Sequence, residues 1–260
     1  MARFSANLGF LWTDRSLPNA IRAAHAAGFD AVECHWPYAT PPAAIRAALD
    51  ETGLPMLGLN TRRGDTGAGE NGLAALPGRE DEARAAIDQA IAYARAIDCG
   101  AIHVMAGFTD KGRRAEETFR ANLRYAADQA AACGKTILIE PLNNRDAPGY
   151  HLSDMDHAAE IIAAIGAPNL RAMFDCYHIQ IMQGDLITRL AAHQSIIGHI
   201  QFAAVPDRGE PDAGEICYRQ VLAAIDAMGW AAPVGAEYKP RANTDAGIGW
   251  LAAFRQDITT

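Results

Sequence analysis

The chain has 260 residues, of which half are hydrophobic and 21% are charged, and its formal net charge is −8. This composition is typical of a globular protein with a sizeable core, and the length suits a single α/β barrel. Lys and Arg form no basic run, so neither a nucleic acid nor an anionic membrane is expected as a partner. We expect no signal peptide and no membrane span, and five widely spaced cysteines predict free thiols in a reducing cytoplasm.

Short apolar runs alternate with longer Ala-rich helical patterns along the whole chain, without a linker. The predicted strands are, in chain order, 4–8, 31–33, 55–60, 101–105, 136–140, 170–175, 196–201 and 233–237. The predicted helices are 17–27, 42–51, 80–97, 114–133, 153–165, 186–193 and 218–228. Glycines fall where several helices should end, at Gly28, Gly53, Gly100, Gly134 and Gly229.

Eight strands in alternation with helices predict a (β/α)₈ TIM barrel, with residues 1–260 as a single domain. A doubly wound open sheet is the competing fold. It is disfavoured because no glycine-rich phosphate-binding turn follows the first strand. Two loops are long for a compact domain, 61–78 and 202–215, and we expect them to serve as lids.

Seven successive predicted strands finish on a polar or charged side chain, which a barrel would bring together at its mouth. These residues are Glu33, Asn60, His103, Glu140, Asp175, Gln201 and Glu237. The last four of these residues include three carboxylates, which repel each other in one pocket and need a cation or protons to coexist. Carboxylate and amide oxygens suit Mg²⁺ or Mn²⁺ better than zinc, so the last four residues predict such a site. Helix caps paired with Arg and Lys remain the alternative from the residues alone.

The sequence resembles the hydroxypyruvate isomerase family, within the superfamily of xylose-isomerase-like barrels. Six segments carry the resemblance and together span nearly the whole chain: 69–80 (GENGLAALPGRE), 102–107 (IHVMAG), 137–150 (ILIEPLNNRDAPGY), 166–185 (GAPNLRAMFDCYHIQIMQGD), 197–218 (IGHIQFAAVPDRGEPDAGEICY) and 235–240 (GAEYKP). The resemblance implies a barrel, a divalent cation and aldose–ketose interconversion of a small hydroxy-oxo acid.

The resemblance also implies roles for individual residues. Glu140 and Glu237 match the two catalytic glutamates, which also bind the metal, and Asp175 and Gln201 match the other two ligands. His178 matches a histidine that faces the substrate.

Further contacts with substrate are expected from residues near the strand ends. Arg208 lies just past Gln201, where its guanidinium could clamp a substrate carboxylate, although a solvated loop arginine is the alternative. His103, Asn60 and Lys239 complete the predicted substrate-binding set. The loop that begins NTRRGD lacks the Asn-Leu-Pro-like start expected of the family, so Arg62 and Arg63 could alter which acid is accepted.

The predicted reaction is the conversion of hydroxypyruvate to tartronate semialdehyde through a cis-enediolate, with two glutamates that move protons. The alternatives are an isomerase of a four-carbon 2-oxo acid, a ketose 3-epimerase and a non-catalytic sugar-acid-binding protein. An epimerase would more typically have His in place of Gln201, and a zinc AP endonuclease would need many His ligands and a basic groove. The oligomeric state is left open, a homo-oligomer included.

Overall fold

The computed structural model describes residues 3–257, so the first two and last three residues of the predicted domain lie outside the described chain. Eight parallel strands form one sheet in the order β2-β1-β8-β7-β6-β5-β4-β3. They are β1 Phe4–Asn7, β2 Ala31–Glu33, β3 Gly58–Asn60, β4 Ala101–His103, β5 Thr136–Ile139, β6 Leu170–Asp175, β7 Ile197–Phe202 and β8 Val234–Ala236. The predicted α/β barrel is confirmed.

The two ends of this sheet meet and close the barrel. Val32 forms a parallel bridge with Met56, and Leu57 donates its backbone N–H to the Val32 carbonyl at 2.8 Å. Beyond that point Cys34 donates to the carbonyl of Gly58 at 3.0 Å. Because β2 and β3, the end strands of the described sheet, pair with each other, the carboxyl ends of all eight strands surround one mouth.

Helices connect the strands and cover the outside of the barrel. They are α1 Leu17–Ala26, α2 Pro42–Thr52, α3 Glu80–Ile97, α4 Arg113–Ala131, α5 Met155–Ile165, α6 Cys176–Met182, α7 Leu186–His193, α8 Tyr218–Ala227, α9 Thr244–Gly247 and α10 Trp250–Asp257. Among the described residues, no helix combines the length and the apolar character needed to cross a bilayer. The sequence did not indicate α6, α9 or α10 as separate helices.

Backbone contacts dock the second half of the loop 61–78 against the segment that follows β4. Ala74 and Ala75 donate to the carbonyls of Met105 and Ala106 at 3.2 and 2.8 Å. Gly72 (φ +125°) forms an antiparallel β-bridge with Ala106. The two segments lie so close that a Cβ at position 72 would be 2.6 Å from the Gly107 nitrogen. Residues 64–69, at the tip of the loop, are exposed.

Candidate active site at the barrel mouth

The four predicted metal ligands lie at the carboxyl ends of four consecutive strands. Glu140 directly follows β5, Asp175 ends β6, Gln201 lies near the end of β7 and Glu237 directly follows β8. The strand register pairs Asp175 with Gln201, and Gln201 with Gly235. All four side chains are buried, each at most 7% exposed. The barrel therefore brings together the residues that the sequence placed in one pocket.

Three of these side chains carry a buried oxygen without a hydrogen-bond partner. These atoms are Oε1 of Glu140, Oε1 of Gln201 and Oε2 of Glu237. All three residues line one small cavity at the end of the barrel interior. Buried polar atoms normally have partners, and an ion is one of the explanations for a cluster of exceptions. The donor set is carboxylate and amide oxygen, which fits a hard divalent cation.

The local charges displace the pKa values of the acids in opposite directions. Burial, followed by the charges of Glu237 and Asp175, raises the pKa of Glu140 well above its usual range. Burial likewise raises the pKa of Asp175 to about 7. Burial opposes ionisation of Glu237 too, but Arg208 and a hydrogen bond from His35 outweigh it and lower its pKa to about 2. Perturbed carboxyl groups gathered in one cleft are typical of a functional site.

Arg208 enters the same pocket and is the nearest cation to the acids. Its Nη2 lies 3.3 Å from Glu237 Oε2 and 3.5 Å from Asp175 Oδ2. The guanidinium carbon lies 4.9 Å from the centroids of both the Phe10 and the Tyr177 rings, which hold it between two aromatic faces. Its Nε is buried without a partner. The side chain is thus oriented toward the mouth and keeps an unused donor there, rather than pointing into solvent.

His178 lies in the first turn of α6, with a tautomer fixed by its neighbours. The backbone N–H of Asn143 can only donate, and it donates to His178 Nδ1 at 3.0 Å. Burial lowers the pKa of the ring to about 3, so it is neutral and its hydrogen must be on Nε2. That Nε2 lies 3.6 Å from Asp175 Oδ2 and 3.8 Å from Glu140 Oε1. His178 therefore offers a hydrogen-bond donor to the mouth and has no free lone pair for a metal.

The remaining predicted substrate contacts divide into two groups. His103 and Asn60 line a cavity of about 180 Å³ at the mouth, together with Glu140, Glu237 and Arg208, among others. His103 Nδ1 lies 3.4 Å from Glu140 Oε2, and its Nε2 is buried without a partner. Lys239 does not join them, because its side chain is exposed and only its backbone N–H contacts the site region, at the Arg208 carbonyl.

The sequence placed Glu33 at the mouth but did not reveal its bonds to Ser5, His199 and Gln201. Glu33, at the end of β2, accepts hydrogen bonds at Oε2 from Gln201 Nε2 at 2.8 Å and His199 Nε2 at 2.9 Å. Its other oxygen accepts from Ser5 Oγ at 3.0 Å. Burial opposes protonation of His199, but Glu33 outweighs it and raises the pKa of the ring. His199 lies two residues before Gln201, and this strand periodicity is the signal that could have indicated it.

A second group of potential ligands lies away from the mouth. Glu116, on α4, accepts from Nε2 of His151 at 2.9 Å and Nε2 of His157 at 3.0 Å with one oxygen, while Arg120 contacts the other. These side chains satisfy one another without an ion. They share no cavity with the barrel mouth.

Known proteins share this architecture over nearly the whole chain. A family model described as xylose isomerase-like TIM barrel matches residues 21–254. A 2-oxo-tetronate isomerase of Cupriavidus necator is 46% identical, covering 98% of this chain and 99% of its own. The hydroxypyruvate isomerase of Escherichia coli is 38% identical and covers 98% of this chain and 100% of its own. A crystal structure described as AP endonuclease, family 2, from Brucella melitensis superimposes with a TM-score of 0.94 at 40% identity, covering 97% and 99%.

The chain belongs to the xylose isomerase-like TIM barrel family. Within that family the relatives from Cupriavidus necator and Escherichia coli are named as sugar-acid isomerases, and this chain is an isomerase of that group. The resemblance seen in the sequence is thereby confirmed.

Proposed function

We propose that this protein interconverts a 3-hydroxy-2-oxo acid of three or four carbons and its 2-hydroxy-3-oxo isomer, with hydroxypyruvate and tartronate semialdehyde, a ketose acid and an aldose acid, as the first pair. The observation that carries the proposal is the set of three buried oxygens without a hydrogen bond, on Glu140, Gln201 and Glu237, around one cavity. The oxygen of Glu237 lies in ion-pair range of Arg208, at 3.3 Å. The neighbouring mouth cavity of about 180 Å³ is small even for a ligand pocket, which suits a small acid.

A divalent cation fits these residues, and Glu140, Asp175, Gln201 and Glu237 would hold it. Bound there, Mg²⁺ or Mn²⁺ would act as a Lewis acid that polarises the substrate carbonyl and acidifies the adjacent C–H. Arg208 supports the same assignment from the substrate side, because its Nε lacks a partner and its guanidinium lies beside the acids. We assign it to the substrate carboxylate.

The two glutamates carry out the proton transfers. In hydroxypyruvate, one glutamate removes a proton from C3, and the electron pair of that bond forms the C2–C3 double bond of an enediolate. The other glutamate delivers a proton to C2, and the proton on the C3 oxygen passes to the C2 oxygen, so that C3 becomes the aldehyde. His178 donates from Nε2 to a substrate oxygen and fixes its position between Asp175 and Glu140.

A four-carbon substrate is the second candidate, and one observation favours it. The 2-oxo-tetronate isomerase relative is 46% identical, against 38% for the Escherichia coli hydroxypyruvate isomerase. One further hydroxymethyl group would need a partner at the mouth. Asp146 lines the cavity there, although its Oδ2 already accepts from the Tyr177 hydroxyl at 2.8 Å.

The deciding experiment compares both substrates in one assay. The purified protein, saturated with Mn²⁺, is incubated in deuterated solvent with hydroxypyruvate or with 2-oxo-tetronate, and proton NMR follows the new product and any loss of substrate C–H signal. We expect product from at least one acid, and the ratio of kcat/KM values identifies the better substrate.

Two results would contradict the proposal. Absence of product and of deuterium incorporation from both acids would exclude this isomerase activity. Equal turnover in protein shown to be metal-free would retain the reaction but exclude the cation from it. A ketose such as fructose serves as the control, because it lacks the carboxylate that Arg208 is assigned to bind.

A further inference from the structure

We infer that Glu33 is a positioning residue that orients the Gln201 amide so that its oxygen, and not its nitrogen, faces the cation site. The inference rests on the proposed function, since it concerns one ligand of the proposed cation. It assigns a role to a buried acid that is not itself a predicted ligand.

A glutamine amide can be placed in two ways that differ only in which atom points where. An ionised carboxylate can accept hydrogen bonds and cannot donate them, so a carboxylate beside the amide selects the arrangement with nitrogen toward it. Gln201 Nε2 donates to Glu33 Oε2 at 2.8 Å. Its oxygen is therefore turned the other way, where it is buried and has no partner. That is the arrangement a metal ligand requires.

Glu33 is itself held so that it cannot easily move away. Its Oε1 accepts from Ser5 Oγ at 3.0 Å, and its Oε2 also bonds His199 Nε2 at 2.9 Å. The space it occupies exists because residue 235, the strand neighbour of Gln201, is a glycine. A Cβ on Gly235 would lie 2.1 Å from Glu33 Oε1 and 2.9 Å from Gln201 Cγ.

The arrangement explains how a neutral amide can serve as a reliable ligand among three carboxylates. Without a fixed acceptor behind it, the amide could rotate and present its NH₂ group to the cation, which repels it. A group that orients a metal ligand from behind typically contributes about 10–100-fold to metal affinity. We expect a loss of that size when the contact is broken.

The test is a double-mutant cycle on Mn²⁺ affinity, measured without substrate from the electron paramagnetic resonance signal of free Mn²⁺. Glu33→Gln removes both the charge and the fixed acceptor, whereas Glu33→Asp keeps the charge and withdraws the carboxylate from the amide. We expect each variant to bind Mn²⁺ about 10–100-fold more weakly than wild type. In a Gln201→Ala background the same two changes should alter affinity by no more than about twofold, because the amide they act on is absent.

The matched control is Ser5→Ala. It removes the partner of Glu33 Oε1 and leaves the bond between Glu33 Oε2 and Gln201 in place. The Mn²⁺ affinity of this variant should therefore stay within about threefold of wild type. Circular dichroism checks that each variant is folded. If Glu33→Gln does not fold, Glu33→Asp alone decides the question, since it keeps the charge.

Two results would overturn the inference. In the first, Glu33→Asp binds Mn²⁺ as tightly as wild type. In the second, the Glu33 variants lose the same Mn²⁺ affinity with and without the Gln201 amide, so that Glu33 acts only through its charge. Those results would leave Mn²⁺ binding and isomerase activity of the wild type intact, so the proposed function would survive. A wild-type protein that binds no Mn²⁺ would overturn both, and the NMR assay would then show whether isomerisation occurs without a metal.

Discussion

Replacement of Glu140 or Glu237 by glutamine changes one oxygen to an NH₂ group and removes the ability to accept a proton. Each variant keeps an oxygen that can bind a cation. A general acid–base group contributes about 10²–10⁴-fold to rate, equivalent to about 2.7–5.5 kcal/mol in the activation barrier. We expect turnover at saturating Mn²⁺ to fall by at least that factor in both variants.

The contacts of the two residues predict different effects on stability. Glu237 Oε1 bonds His35 Nε2 at 2.9 Å, and its Oε2 lies 3.3 Å from Arg208 Nη2. In Glu237→Gln the oxygen can keep only one of these partners, and the NH₂ group then faces the other donor. A lost charged hydrogen bond costs about 1.5–3 kcal/mol. Glu140 Oε1 has no hydrogen-bond partner, so Glu140→Gln breaks no bond there and should leave the melting temperature close to that of the wild type or above it.

The assay follows product formation and deuterium incorporation by NMR, with melting curves recorded on the same samples. Glu117→Gln is the matched control, because Glu117 is exposed on α4 and lines neither cavity at the mouth, and it should retain the wild-type rate. A variant that lacks only the reprotonating group can still exchange substrate hydrogen with solvent, which would distinguish the two glutamates. If either variant at position 140 or 237 isomerises within threefold of wild type, the two-glutamate mechanism is refuted.

Three further outcomes are expected. Prolonged chelation should abolish activity, and Mg²⁺ or Mn²⁺ should restore it; full activity in protein free of metal by elemental analysis would rule out a catalytic cation. Arg208→Ala should raise KM, because a bound carboxylate loses a charge-assisted bond of about 1.5–3 kcal/mol, while unchanged kinetics would move the clamp to Arg63. Gly72→Ala should destabilise the fold by about 1–3 kcal/mol, because alanine there would have a positive φ and would also clash with neighbouring backbone atoms. Gly69→Ala is the control, since Gly69 has a positive φ but a Cβ there would meet nothing within 4 Å. Equal melting temperatures in the two variants would contradict the steric argument.

The fold and the grouping of polar side chains at the mouth could be predicted because both arise from a pattern repeated along the chain. Every predicted strand overlaps an observed one, and differences are confined to the ends, as in β3, which begins at Gly58 rather than at residue 55. The α6 helix was missed since it starts at Cys176, directly after β6, with no loop between the two elements. Local periodicity contains no marker for such a junction.

Two features of the site depend on geometry that the sequence does not reveal. The bond between Glu33 and Gln201 joins residues 168 positions apart and requires the closed barrel to place β2 opposite β7. Lys239 was expected at the mouth because it follows Glu237 by two residues. However, β8 ends at Ala236, so strand alternation no longer applies, and its side chain lies in solvent.

The buried acids at the mouth also bear on how the chain is kept folded. Glu33, Glu140, Asp175 and Glu237 are all buried there, and the guanidinium of Arg208 contacts two of them, Asp175 and Glu237. Mutual repulsion of the acids weakens the native state relative to the unfolded chain, in which these groups are hydrated and far apart. A cation that binds only the native state restores stability by mass action, by about 2.7 kcal/mol at a hundred times its Kd. Metal supply would then set the lifetime of the protein against proteolysis as well as its rate of turnover.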